Sequence, residues 1–364
     1  MPKKKFSAIE DVLTEIKTDL NTPNTKTPEA TKVSVLFACN ASGKTRLSKL
    51  FADQHDEHIL YYNAFTEDLF AWDNIDYALK IDTSAWLFKF IQEQGLDRRI
   101  IDNFQKFTGS KLEPAFDFAQ SQITFALHTG DEQNPENIKI SRGEESVFIW
   151  SVFYTVLDIA IDTLNEPVED RSTEDFNDIQ YIMIDDPVSS MDDTRIITIA
   201  LDLAELIAKS EKQLKFLITT HHALFFNVLF NAKKKNWDRK SYVLSKSGTD
   251  ILLKIQPTDS PFAYHHVIKH EIEKAINDND VKKYHFNLFR ALLEKTANFL
   301  GYADGWKKCL QGTDAEAGFV KALDHYSHNS LSDLESKDLS EDDKQSFKRA
   351  FETFMQEFKW GAAA

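Results

Sequence analysis

Cysteine is almost missing: Cys39 and Cys309 are the only two in 364 residues. That excludes a disulfide framework and a cysteine zinc cluster, and it fits a reducing compartment such as the cytoplasm. Also lacking is a run of 18 apolar residues, so no membrane span and no membrane partner are expected. The opening Met1-Pro2-Lys3-Lys4-Lys5 is basic but has no apolar stretch behind it, so a secretory leader is not expected either. Positive charge is in short supply, 43 Lys and Arg against 58 Asp and Glu, for a net charge of −15. This argues against a general nucleic-acid coat protein, although it leaves room for a local basic face. Between Ala232 and Asp250, Lys233, Lys234, Lys235, Arg239, Lys240 and Lys246 form such a concentration, either tracking a phosphate backbone or, more commonly for such a run, making a solvated loop.

What remains is 42% apolar and 28% charged, the balance of a globular protein with room for two or three domains. The most informative stretch runs from Lys32 to Thr45. An apolar strand enters a small-residue loop, Asn40-Ala41-Ser42-Gly43-Lys44-Thr45, and then a helix. Backbone N–H groups of such a loop and of the helix start point at phosphates, Lys44 adds a charge and the Thr45 hydroxyl is placed for Mg²⁺. Ala38 stands where the first glycine of the usual pattern belongs, which suggests a wider turn.

The spacing predicts a helix over 6–20, a linker over 21–31 and a strand over 58–65. From Leu69 to about Phe125 the pattern reads as a helical insertion rich in Phe and Trp. Ile140-Ser141-Arg142-Gly143-Glu144 then opens an apolar helix, Ile179 to Pro187 is a strand ending in Asp185 and Asp186, and a strand from Leu214 delivers His221. Strands alternating with helices imply a mainly parallel α/β sheet with its active groups at the strand ends. After Pro257 only helices are expected, at 262–275, 281–300, 315–326 and 341–358. The domains are therefore read as 1–256 and a mainly α-helical 257–364.

The order of these pieces resembles an ABC-type ATPase. That resemblance implies Asp185 as the Mg²⁺ carboxylate, Asp186 as the group acting on the attacking water, Ser141 and Gly143 as the signature, Asp192 in the D-loop and His221 as the switch histidine. Asp186 replaces the usual glutamate and is one methylene shorter, from which slow turnover is expected. Arg142 and Glu144 also depart from the ABC signature, and no Q-loop glutamine is evident. The resemblance further implies ATP or GTP with Mg²⁺ and a head-to-tail dimer or higher homo-oligomer. An SMC-type ATPase is the alternative within this class, but only about 100 residues separate loop and signature and no sustained heptads occur.

In the C-terminal part, Lys283, Asn287, Arg290 and Glu294 fall on one stripe of the helix 281–300. Arg290 and Glu294, four apart, suit an ordinary surface pair worth about 0.2–0.5 kcal/mol. With a histidine they also suit RNA cleavage without a metal, which needs a base at the ribose 2′-OH, an acid at the 5′-oxygen and a cation on the phosphorane. His325 and His328 are the histidines at hand, and the base and acid roles stay open between Glu294 and His.

Several stretches together resemble the PrrC family of bacterial anticodon nucleases. They are the loop Ala38 to Thr45, Tyr61 to Phe70, Gly143 to Ser146, Ile184 to Ser190, Thr219 to His221, Tyr284-His285-Phe286, Arg290 with Glu294 to Ala297, and Ser327-His328. Ala38 and Asp186 belong to that pattern, so they do not mark a dead ATPase. The resemblance implies Arg290, Glu294 and His328 as the nuclease triad, with anticodon recognition around Thr258, Asp259 and Ser260. It also implies cleavage of tRNA-Lys beside the wobble position, dTTP as a further nucleotide, a type I restriction-modification complex as silencing partner, and an antiphage toxin. The competing expectation is an ATPase whose helical tail only docks a partner effector.

Overall fold

The computed structural model describes residues 3–25, 27–28, 30–40, 42–55, 58–63, 69–127, 137–211, 214–232, 237–247, 250–258, 264–303, 305–311, 319–320 and 339–358. The chain divides into two compact units, Met1–Pro261 and Phe262–Ala364.

The first unit starts with an edge strand, β1 (Lys3–Phe6), and helix α1 (Ile9–Asn21), whose helically spaced Ile9, Val12, Leu13, Ile16 and Leu20 are all buried. Strand β2 (Thr31–Ala38) is buried along nearly its whole length, as an inner strand covered on both faces must be. It feeds α2 (Lys44–Asp53), and β3 (Ile59–Asn63) follows.

The next segment corrects the expected helical insertion over 69–125. It holds four strands, β4 (Phe70–Asp73), β5 (Ala78–Ile81), β6 (Leu112–Asp117) and β7 (Gln122–Leu127), paired antiparallel in the order β4-β5-β7-β6. Helices α3 (Trp86–Gln94) and α4 (Asp97–Thr108) lie between β5 and β6. Strands of four to six residues are too short to display a period of two against dense Phe and Trp. Their turns use Tyr77 and Ser121 at φ 48° and 51°, conformations that neither residue type announces.

Helix α5 (Arg142–Asn165) packs on this small sheet. Phe148 meets the rings of Phe125, Phe104 and Phe116 at centroid distances of 5.2, 5.6 and 6.0 Å. By length and composition α5 is apolar enough to cross a membrane, yet 78% of its apolar window is buried within the protein. It is a core helix.

The remaining elements are β8 (Tyr181–Asp185), α6 (Asp193–Lys209), β9 (Lys215–Thr220), α7 (Ala223–Asn231), β10 (Trp237–Ser247) and β11 (Asp250–Ile255). The large sheet runs β1-β11-β10-β2-β9-β8-β3, parallel from β10 to β3 and antiparallel at β11 and β1. Part of the basic run is thereby corrected from loop to strand. Within β10, Lys240 pairs with Asp19 at 2.5 Å, and the Arg239 guanidinium lies 3.6 Å from the Phe230 ring centre. Lys233, Lys234 and Lys235 lie outside the described residues.

In the second unit, α8 (Tyr264–Asn277), α9 (Lys283–Phe299), a short 3-10 helix (Trp306–Leu310) and α10 (Glu341–Glu357) build a separate core. Phe289 sits at its centre, with the rings of Phe319, Phe351, Phe354 and Phe347 between 5.4 and 5.7 Å away. The helix expected over 315–326 falls outside the described residues except at 319–320, where Phe319 joins this core.

Candidate functional site

The C-terminal edge of the parallel sheet gathers several of the residues expected at a nucleotide. Register places Asn63, Asp185 and Thr219 side by side on β3, β8 and β9, and Phe37 of β2 beside Thr220. Chain leaving these strands therefore meets at one edge, the usual ligand position in such sheets.

Between β2 and α2 the loop turns at Gly43, whose φ of 104° lies in the left-handed region where a Cβ is disfavoured. Ser42 Oγ donates to the Cys39 carbonyl at 2.6 Å. Lys44 is 6% exposed, donates to the Ala38 carbonyl at 3.0 Å and lies 3.5 Å from Asn40 Oδ1. Its third neighbour is Asp186, at 3.3 Å. Ala41 lies outside the described residues.

Asp185 and Asp186 differ sharply despite being adjacent. Asp185 is buried beneath the site, accepts a hydrogen bond from Thr219 Oγ1 and has Ser48 beside it. Burial above all pushes its pKa up; the Thr219 bond opposes this, and the charge of Asp186 adds to it. Thr45 is exposed and is not among these partners. Asp186 has a φ of 54°, left-handed for a non-glycine, which turns its carboxylate toward His221. His221 Nδ1 lies 2.6 Å from Oδ2, and the His221 N–H donates to Oδ1 at 3.0 Å. Burial alone would raise the Asp186 pKa, but the His221 bonds and the Lys44 charge outweigh it and hold the carboxyl below its ordinary range.

These directions set opposite linkages. A depressed pKa means that Asp186 contributes stability above the ordinary aspartate value of 3.8, lost as pH falls through its folded value. A raised pKa means that ionised Asp185 costs stability at neutral pH, a cost relieved as pH falls toward 3.8. In thermal melts at pH 7 without nucleotide, Asp185→Asn raises and Asp186→Asn lowers the midpoint. Shifts of the same sign in both variants would contradict this electrostatic assignment.

Ser141 and Gly143 sit at the start of α5. The Ser141 N–H and hydroxyl both donate to Glu144 Oε2, at 2.8 and 2.7 Å, while the Glu144 N–H returns a bond to Ser141 Oγ at 3.2 Å. The sequence departure at Glu144 thus closes a capping box. A Cβ on Gly143 would lie 3.2 Å from the Ser190 carbonyl oxygen and 3.3 Å from Arg195 Nη1. Asp192 caps α6, accepting from the Arg195 N–H at 3.0 Å and lying 3.2 Å from Arg195 Nε. The segments expected to be signature and D-loop thus lie against each other within one chain. Gly143→Ala, forced against backbone, is expected to lower unfolding free energy by roughly 1–3 kcal/mol and to slow nucleotide hydrolysis. Denaturant melts and phosphate release check both, and parental values in each would refute the contact's importance.

In the second unit, Arg290 Nε lies 2.8 Å from Glu294 Oε1, a pair linked along one face of α9. The guanidinium also lies 5.6 Å from the Trp306 ring centre. His328, its rival His325, and Asp259 and Ser260 lie outside the described residues. Buried His285 faces another side of α9: its Nδ1 accepts from the Lys282 N–H at 2.8 Å, and burial lowers its pKa.

Two residues at these sites escaped sequence reading. Asn63, 8% exposed, shares its sheet edge with Asp185; its signal was its place in the stretch Tyr61 to Phe70, which was given no role at the nucleotide. Trp306 backs Arg290; its signal was a Trp followed by Lys307 and Lys308 just past the stripe-bearing helix.

A family model described as an AAA domain matches residues 98–356. That span includes Asp185, Asp186, His221, Arg290 and Glu294 and begins after the phosphate loop. Among solved structures, the SMC head domain from Thermotoga maritima is 11% identical, covering 62% of this chain and 91% of that one with a TM-score of 0.29. The cbiO1 structure from Clostridium perfringens, part of the ABC transporter complex cbiONQ, is 13% identical over 66% and 83%, with a TM-score of 0.32. Both likenesses are too slight to bear on this chain. A curated protein of Escherichia coli named "Anticodon nuclease" is 41% identical over 361 residues, spanning 88% of this chain and 90% of its own length. With that identity running through both units, the chain belongs to the anticodon nuclease family.

Proposed function

We propose that this protein is a nucleotide-gated endoribonuclease that cuts a tRNA in its anticodon loop. The observation that carries the reading is the 41% identity over nine-tenths of a relative named for that activity. The bonded Arg290 and Glu294 on α9 support it.

In the first unit, left-handed Gly43, buried Lys44 and the two carboxylates at the sheet edge fit a nucleoside triphosphate with Mg²⁺. Asn40, Ala41, Ser42, Gly43 and Lys44 would hold the phosphates, with Thr45 and Asp185 at the metal. When bound, Mg²⁺ neutralises charge on the phosphate oxygens. Asp186, oriented by His221 and kept ionised by its depressed pKa, would hold the attacking water through hydrogen bonding, as a weak base that fits slow turnover. Ser141, Gly143 and Asp192 would face the nucleotide of a second copy in a head-to-tail homodimer. ATP and GTP both suit the cradle, and dTTP enters through the family resemblance.

In the second unit, Arg290 neutralises the scissile phosphate, while Glu294 and His328 share the base and acid roles. The 2′-oxygen loses its proton and bonds to phosphorus, the bond from phosphorus to the 5′-oxygen breaks, and that oxygen gains a proton. A 2′,3′-cyclic phosphate and a 5′-hydroxyl result, with no metal required at this site. By resemblance the substrate is tRNA-Lys cut beside the wobble position, read in part by Asp259 and Ser260. The protein would then act as a cytoplasmic antiphage toxin silenced by a type I restriction-modification complex. Total tRNA incubated with the purified protein should yield fragments cut in the anticodon loop of one species. Intact tRNA under every nucleotide condition would instead favour an ATPase whose tail docks a partner.

A further inference from the structure

The loop after β2 lies between two unlike flanks of the large sheet. On one side β9, β8 and β3 bring His221, the two carboxylates and Asn63 to the sheet edge; on the other stand β10, β11 and β1. Lys44 leans to the first flank, 3.3 Å from Asp186. A triphosphate lying along the loop with its last phosphate at that pair has its other end directed to the second flank. There the structure holds a cavity of about 230 Å³, lined by Ile9, Glu10, Gly43, Arg46, Lys246 and Ile251.

Local chain geometry builds this cavity. Only Ser7 and Ala8 separate β1 from α1, so the first turn of α1 folds over the loop, and a Cβ built on Gly43 would lie 3.7 Å from Ile9 Cδ1. Ile9 and Ile251 are buried and make an apolar floor, while half-buried Glu10 and exposed Arg46 and Lys246 make a charged rim. Arg46 Nη2 donates to Glu10 Oε1 at 2.7 Å and sets the carboxylate in place. An ionised carboxylate has lone pairs for further donors, and a sugar hydroxyl is one such donor, as in dinucleotide sites. Charges of both signs on the rim also narrow the choice of occupant. An inorganic anion would meet Glu10 and a metal ion would meet two cations, whereas a neutral, hydroxylated body with a flat apolar face avoids both conflicts.

We propose that this cavity seats the nucleoside of the bound nucleotide, with Glu10 accepting hydrogen bonds from the sugar hydroxyls and Arg46 holding Glu10 in position. The assignment rests on the nucleotide reading of the loop for its ligand. The full-length protein, Glu10→Ala and Glu10→Gln are titrated calorimetrically with ATP and GTP, and with the 2′,3′-dideoxy analogue of each, in the presence of Mg²⁺. The readout is the ratio of the two affinities, which a general change of charge near the phosphates does not move. The parent is expected to bind the hydroxylated form about tenfold more tightly than the dideoxy form, the size of a hydrogen bond to a charged group. Glu10→Ala should bind both forms equally, and Glu10→Gln, which keeps an acceptor, should retain part of the preference. A parent that binds both forms equally, or a Glu10→Ala protein that keeps the parental ratio, overturns the cavity assignment and leaves the phosphate cradle standing. A parent that binds none of these nucleotides overturns the cradle itself, and this assignment with it.

Discussion

Arg290→Ala and Glu294→Ala should each lower tRNA cleavage by roughly 10²–10⁴-fold while leaving the second unit folded. Magnitudes separate the two consequences. As a structural element, a partly exposed i,i+4 ion pair is worth about 0.3–0.5 kcal/mol, and the contact of Arg290 with Trp306 adds about 0.5–1 kcal/mol. The core centred on Phe289 keeps all of its apolar side chains in both variants, and only Trp306 among them loses a contact, the one with Arg290. A loss of cleavage without a matching loss of stability therefore requires that these groups meet the reacting phosphate. Glu294→Gln sharpens the result, because it keeps the shape and a hydrogen-bond acceptor but cannot take a proton. If it cleaves as fast as the parent, Glu294 is neither base nor acid, and the role passes to the histidine. If both alanine variants cleave normally, the pair is only a helix-surface contact and the catalytic assignment fails.

Lys44→Ala is the second large effect. Lys44 is buried at the loop, held by the Ala38 carbonyl and by Asp186. Its removal takes away the charge proposed to meet the phosphates, and nucleotide hydrolysis should fall about 10²-fold or more. Asp186 keeps both of its bonds to His221, so the fold tolerates the change better than the activity does. If nucleotide gates the nuclease, Lys44→Ala also uncouples RNA cleavage from added ATP or GTP. A variant that hydrolyses at the parental rate would refute the phosphate cradle. One that loses hydrolysis but keeps nucleotide-dependent cleavage would refute the gating.

Much of the first unit's site was legible because its chemistry is tied to strand ends. The small-residue loop after β2, the carboxylates after β8 and the histidine after β9 can be read in order along the chain, and a parallel sheet brings them to one edge. Other features have no such local mark. The small sheet β4-β5-β7-β6 consists of strands shorter than the window in which alternation shows, embedded in aromatic residues that suit either period. Strand β10 lay hidden under a basic run, since Lys240 is neutralised by Asp19 from far along the chain and Arg239 packs on Phe230. The differing states of Asp185 and Asp186 come from burial and from a left-handed turn, which composition does not encode. In the second unit, Arg290 and Glu294 were visible as an i,i+4 pair, but spacing alone cannot separate a catalytic pair from a surface pair. Trp306 supplies the third partner from a turn beyond the helix, a contact that depends on tertiary packing.

The most direct test of the central claim is to sequence RNA 5′-hydroxyl ends from cells making the parent and from cells making Arg290→Ala. The expected result is a single dominant class of new ends within the anticodon loop of one tRNA, present with the parent and missing with the variant. New ends scattered through many RNAs, or the same anticodon ends with both proteins, would contradict it.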